Sequence, residues 1–239
     1  VGENLKELEE GGLTEDTIRE AQLGWNPREW RDAAARWGQD GKPVWLAPGW
    51  VIPNEGSGVL WGVNIRRPGD AEPKYMMVSG SKRRVYGLGL VGHHSDLVIC
   101  EGEFDALLVR QEVGAVVAAV ALGGANNRPD VDSLRVLAGF RRWWVATDQD
   151  DAGRKAQAEL LEATQRARPL DIPRADCKDV TDLWRAGVDL TAWIVGAVGP
   201  ADPAGCARWA EHYMETLDAQ GLGKDPVTCP ELRAWLALL

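Results

Sequence analysis

The chain has 239 residues, 45% of them hydrophobic, enough to fill the core of one large α/β domain or two smaller ones. Its 27 basic and 36 acidic residues give a net charge of −9, which excludes a protein that coats nucleic acid by bulk charge. No apolar stretch reaches the ~18 residues of a membrane span. The opening VGENLKELEE lacks the pattern of a signal peptide, and Cys100, Cys177, Cys206 and Cys229 have no CxxC spacing, so the expectation is a soluble, cytoplasmic chain with reduced thiols.

From the N-terminus, residues 4 to 38 read as helical. Thr14 is placed to cap EDTIREAQ, and REWRDAAARWG carries Trp30, Ala33, Ala34 and Trp37 at i, i+3, i+4 and i+7, which predicts a second helix with buried tryptophans. From residue 43 to 90 the texture changes to short β-rich runs such as GVLWGVNIRR. Between Asn64 and Tyr86 lie six basic residues, Arg66, Arg67, Lys74, Lys82, Arg83 and Arg84, against two acidic ones. Taken alone, that local excess reads as a solvated hairpin.

The period then changes again. DLVIC (96–100), AVVAAVAL (115–122) and RWWVAT (142–147) are continuous apolar runs suited to strands buried on both faces. Helical patterns separate and follow them, from Glu103, Asp130 and Asp151, and this alternation predicts a parallel sheet with right-handed crossovers. DVTDLWRAG and LTAWIVGAV read as short amphipathic helices, and residues 188–239 as a helical tail with Trp193, Trp209 and Trp235 on its apolar positions.

Three acidic features fall at the carboxyl ends of the predicted strands, where open parallel sheets bind ligands. Glu101 follows LVIC. Asp148 and Asp150 follow WWVAT, and Asp179 sits in CKDVTDLW after PLDIP, itself a candidate strand. Carboxylates gathered at one edge repel one another unless a cation compensates, and Mg²⁺ takes oxygen ligands of this kind. Alternation in DQD sets Asp148 and Asp150 on one side of an extended turn. Gly102, Gly123, Gly124 and Gly153 leave room for a ligand to approach the backbone. Glu103, Asp105 and Asp182 read as helix-start or supporting residues, and His93 and His94 as loop residues.

EGEFDALLV, DQDDAGRKA and KDVTDLW together resemble the glutamate, DxD and third acidic motifs of the TOPRIM domain, over residues 93–187. Upstream, GGLTEDTIREAQLGWNP and the basic β-rich run resemble the start of the DnaG-type primase catalytic core. The resemblance implies an α/β TOPRIM parallel-sheet domain (93–187) with an N-terminal α+β basic subdomain (1–92) and a helical C-terminal tail (188–239). It further implies a primase core that makes primers on single-stranded DNA from nucleoside triphosphates by nucleotidyl transfer. Mg²⁺ or Mn²⁺ would be held by Glu101, Asp148, Asp150 and Asp179. Lys74, Lys82 and Arg83, with Arg66 and Arg67, would face template or triphosphate. Glu101 would serve as ligand or general base. A replicative helicase, fused or separate, is an expected partner. A TOPRIM nuclease using the same carboxylates, or an inactive nucleic-acid-binding module, are the alternatives. The family's Cys- and His-rich zinc module and a Walker-type motor loop are absent from these residues.

Overall fold

A computed structural model describes residues 2–56, 58–91 and 94–199. The chain divides into two compact units with the boundary between Arg84 and Val85. Each builds its own sheet.

The first unit opens with helices α1 (Gly2–Glu10) and α2 (Glu15–Glu20). Thr14 caps α2, its hydroxyl accepting the Thr17 N–H at 3.3 Å. Strands β1 (Gly24–Asn26), β2 (Trp30–Asp32), β3 (Val44–Leu46), β4 (Gly49–Gly56), β5 (Val59–Arg66) and β6 (Tyr75–Met77) follow. An antiparallel sheet runs β1-β4-β5-β6, while β2 and β3 pair separately. Val44, Ala47, Val63, Ile65 and Val78 form a core against which Trp37 and Trp45 pack.

The helix expected over REWRDAAARWG does not form. Its first part is β2, whose Trp30 faces Leu46 of β3, and only Ala34–Trp37 turns, as a 3₁₀ helix. Asp32 is the local reason: its carboxylate accepts from the Ala33 N–H at 2.8 Å, Arg36 at 3.3 Å and the Trp37 indole at 3.2 Å, bonds that compete with a helical ladder. Trp30 is half exposed, so of the two tryptophans only Trp37 joins a core.

The second unit follows the expected alternation. Strand β7 (Asp96–Cys100) leads to α3 (Glu103–Val113), β8 (Ala118–Ala121), α4 (Val131–Leu137), β9 (Arg142–Ala146), α5 (Asp151–Ala163), β10 (Ala167–Pro169), α6 (Val180–Arg185) and α7 (Leu190–Val198). The sheet order is β10-β9-β7-β8, with every pair parallel. Leu97, Val98, Ile99, Cys100 and Val145 have no exposed surface, which explains why these strands read as unbroken apolar runs. The fourth strand, β10, precedes PLDIP except for Pro169, and the Leu170 N–H extends its pairing to the Val145 carbonyl at 3.0 Å. Beyond Gly199 the expected tail helices, with Trp209 and Trp235, lie outside the described residues, as does His93. Among the described residues no helix is long and apolar enough to cross a membrane.

Gly153 shows how closely α5 approaches the strand it follows. A Cβ there would stand 2.1 Å from the Asp148 carbonyl oxygen, and the Thr147 hydroxyl donates to the Gly153 carbonyl at 2.8 Å. The room that the sequence reserves at this glycine is thus filled by the protein's own backbone. Gly153→Ala should destabilise the chain by about 1–3 kcal/mol through overpacking, read as a lowered thermal midpoint, whereas an unchanged midpoint would mean that the turn yields freely.

Candidate metal centre

The central strands β7 and β9 end level with each other, Cys100 opposite Ala146, and deliver Glu101 and Asp148 to the same edge. One oxygen of each of Asp105, Asp148 and Asp179 lies within 4.8 Å of the others. Asp148 and Asp179 were expected in such a site. Asp105 is the member that sequence reasoning assigned a supporting place.

Asp105 sits in the first turn of α3, four residues past Glu101, and is buried. The backbone N–H and hydroxyl of Thr181 both donate to its Oδ1, at 2.9 and 2.7 Å, joining α3 to the start of α6. A Cβ on Gly102 would stand 3.0 Å from its Oδ2. Burial first, then the charges of Asp179 and Asp148, push its carboxyl up to about 7 against the Thr181 bonds. Asp179 is likewise raised by burial and by Asp182 and Asp148.

Two of the acids cap helices as well. Asp150 accepts the Gly153 N–H at 2.9 Å and Asp179 the Asp182 N–H at 2.8 Å, each through Oδ1. A carboxylate has two oxygens, so capping does not exhaust its capacity as a ligand. The capping bond to Gly153, more than the nearby lysine, holds Asp150 below the usual carboxylate range.

Glu101 stands outside the triad of close oxygens but beside it. Its carboxylate accepts backbone N–H bonds from Ala125 and Asp148, and Oε2 is buried with no hydrogen-bond partner. Burial and the charges of Asp148 and Asp150 raise it. The Gly123 and Gly124 N–H groups donate to its main-chain oxygen at 2.9 and 3.1 Å.

Lys178 answers part of this charge. Its ammonium lies 2.8 Å from Asp148 Oδ2 and 3.3 Å from Asp150 Oδ2, and these contacts raise it well above the ordinary lysine range. A cationic side chain thus already stands at the DxD pair. The donor set fits a hard divalent ion: every candidate ligand is an oxygen, and one buried glutamate oxygen lacks a partner.

The basic residues of the first unit divide by their contacts. Arg66 pairs with Glu7, Arg67 donates to the Glu72 carbonyl at 2.8 Å, and Arg84 lies over the Trp61 ring at 4.7 Å. Lys74, Lys82 and Arg83 are exposed.

Comparison with known proteins agrees with this geometry. A family model described as Toprim domain matches residues 96–189. This stretch resembles a Toprim domain. The Gene 57 protein of Mycobacterium phage D29 is 28% identical over 122 residues, 51% of this chain and 76% of that protein. The RNA polymerase domain of Mycobacterium tuberculosis primase DnaG matches with a TM-score of 0.62 at 22% identity, over 98% of this chain and 90% of that one. The Aquifex aeolicus primase structure, comprising zinc-binding and RNA polymerase domains, matches with a TM-score of 0.61 at 20% identity. That alignment covers 99% of this chain and 66% of the Aquifex chain, so this chain spans just under two thirds of its length. The fold is therefore that of a DnaG-like primase core, with its Toprim sheet carrying the acids.

The raised Asp105 carboxyl gives the metal-free chain a pH signature. Between its ordinary value of 3.8 and about 7 the folded form keeps a proton that the unfolded chain has lost. The stability that this group contributes is complete below the lower value and is lost as the pH rises through the upper one. Mn²⁺ should therefore raise the melting temperature strongly at pH 8 and little at pH 5, where protons compete, and Asp105→Asn should flatten the pH slope. Equal Mn²⁺ shifts at both pH values would contradict the assignment. Lys178→Ala should lower metal-free stability while tightening Mn²⁺ binding, because a competing cation has gone, and weaker Mn²⁺ binding would reverse that reading.

Proposed function

We propose that the chain is the catalytic core of a metal-dependent primase, joining nucleotides on a single-stranded DNA template by nucleotidyl transfer. The observation that carries this reading is the carboxylate cluster on the edge of a Toprim sheet, in a chain whose fold likeness to primase cores extends over 98% of its length.

In this reading Asp148, Asp150 and Asp179 hold Mg²⁺ or Mn²⁺, and Asp105 joins them through the oxygen that faces the cluster. When bound, such ions neutralise the triphosphate and stabilise charge on the attacking and leaving oxygens. The protein's own part is positional. Capping bonds at Gly153 and Asp182 fix one oxygen of Asp150 and of Asp179, so that a ligand would meet the other, which at Asp150 already contacts Lys178. Glu101, raised by burial and neighbouring charge, is suited either to complete the ligand set or to accept the proton of the attacking 3'-hydroxyl. Lys178 lies beside the DxD pair, where an incoming triphosphate would find positive charge.

Lys74, Lys82 and Arg83 provide exposed charge on the first unit for template or triphosphate, with Arg66 and Arg67 supporting that surface through Glu7 and the Glu72 carbonyl. Contacts of this kind position a strand without reading its sequence. With a net charge of −9, affinity for DNA should be weak and salt-sensitive, and a linked or docked helicase would raise the effective template concentration.

Incubation with single-stranded DNA, labelled ribonucleoside or deoxyribonucleoside triphosphates and Mn²⁺ tests the reading. Labelled oligomers are expected. Shortened DNA without synthesis would instead identify a nuclease, and neither product would leave a binding module. Asp148→Asn with Asp150→Asn should abolish the metal-dependent product while the chain stays folded, since it removes like charges from a crowded site. Full activity in that variant would overturn the ligand assignment.

The basic surface is tested separately. Lys82→Ala with Arg83→Ala should weaken DNA binding and reduce its salt slope by about one for each lost phosphate contact. An unchanged affinity and slope would return these residues to the role of a solvated hairpin.

A further inference from the structure

Gln149 lies between the two aspartates of the DxD motif, and its side chain makes contacts that theirs do not. Its amide nitrogen lies 3.2 Å from the Ile172 carbonyl, 2.8 Å from that of Arg174 and 3.0 Å from that of Cys177. Its backbone N–H donates to the Lys178 carbonyl at 2.8 Å. Arg154, one turn into α5, donates to the Gln149 carbonyl oxygen.

All three side-chain contacts are carbonyl oxygens, so the amide nitrogen must face them and the amide oxygen cannot. They come from the segment between β10 and α6, which ends in Lys178 and Asp179. This loop has no strand pairing of its own beyond Leu170 among the described residues. Its end nonetheless has to bring Asp179 to within 4.8 Å of Asp148, against the repulsion between two partly buried acids.

We infer that Gln149 is a positioning residue: it staples the loop before α6 to the end of β9 and thereby sets the distance between the second and third acidic segments of the metal centre. The inference rests on the metal-site reading above and adds the element that holds the site's parts together. Asp148 belongs to the cluster and shares Lys178 with Asp150. Gln149 clamps the loop that carries Asp179. Its backbone bond fixes the carbonyl of Lys178, so the same clamp also sets where the lysine that reaches Asp148 and Asp150 emerges.

The experiment measures Mn²⁺ binding to the full 239-residue chain by electron paramagnetic resonance, with circular dichroism to establish folding. Gln149→Met keeps the length and neutrality of the side chain and removes its donors. It should remain folded at 20 °C in ~0.1 M salt, where surface electrostatics are moderately screened, and bind Mn²⁺ about 10-fold more weakly, the loss typical when a partner that orients ligands is removed. Gln149→Asn, which keeps the donors on a shorter arm, should fall between Gln149→Met and the wild type. If Gln149→Met does not fold, the shorter amide carries the test alone.

A folded variant with wild-type Mn²⁺ affinity would overturn the positioning role and leave the metal centre standing. A wild-type chain that takes up no Mn²⁺ would overturn the metal centre itself. A lowered melting temperature with unchanged Mn²⁺ affinity would assign Gln149 to loop stability only, against the inference.

Discussion

Mutual repulsion among the carboxylates at one edge of the parallel sheet is the constraint around which the second unit is organised. Asp105, Asp148 and Asp179 approach within 4.8 Å with Glu101 beside them, in surroundings where burial already disfavours charge. Such an arrangement survives only if other groups oppose the repulsion. Thr181 gives Asp105 two hydrogen bonds, helix starts give Asp150 and Asp179 backbone N–H groups, and Lys178 brings an ammonium to Asp148 and Asp150. These compensations are partial. The raised Asp105 and Asp179 carboxyls and the unpartnered Glu101 Oε2 mark the deficit that a divalent cation would fill.

The first unit handles its charge differently. Its basic residues are spread over a sheet edge and the loops around it, and several already have partners: Glu7 for Arg66, a backbone carbonyl for Arg67, and an indole face for Arg84. A count of six basic residues therefore overstates the charge available to a phosphate backbone. Arginine's planar fork lends itself to such internal pairing, while the lysines at 74 and 82 keep exposed point charges.

Much of the parallel sheet was legible because its strands are buried on both faces. Past their first residues, Asp96 and Arg142, DLVIC and RWWVA are apolar, and the first polar residues after them lie at the strand ends. The helix expected over REWRDAAARWG shows where the same method fails. Trp30, Ala33, Ala34 and Trp37 match a helical period, but pairing of β2 with β3 and three hydrogen bonds to Asp32 decide the backbone, and neither follows from periodicity. The closeness of Asp105 to Asp148 and Asp179 was not legible for a related reason. A carboxylate in the first turn of a helix is ordinarily explained by the helix, and its place in the cluster depends on Thr181, 76 residues away. Gln149 carried no signal at all, since its three carbonyl partners lie 23 to 28 residues downstream in an irregular loop.

The opposite end of the sheet determines whether the acids meet. In the β7–β9 pairing Asp96 stands opposite Arg142, and Arg142 Nη2 donates to Asp96 Oδ2 at 3.0 Å, with Ser95 and the Trp144 indole also donating to the same carboxylate. Burial alone would raise Asp96, yet these donors hold it below the usual range. A buried pair of this kind contributes little net stability over apolar residues, but an acid left buried without its partner is costly. Sliding β9 by one residue would break the close Arg142 contacts, leaving Asp96 the longer one to Arg141 at 3.7 Å, and would turn the side chains of β9 to the wrong face. The pair therefore acts mainly against incorrect registers. Four residues further along each strand, the register that it selects sets Cys100 opposite Ala146, so that Glu101 and Asp148 leave the sheet at nearly the same level.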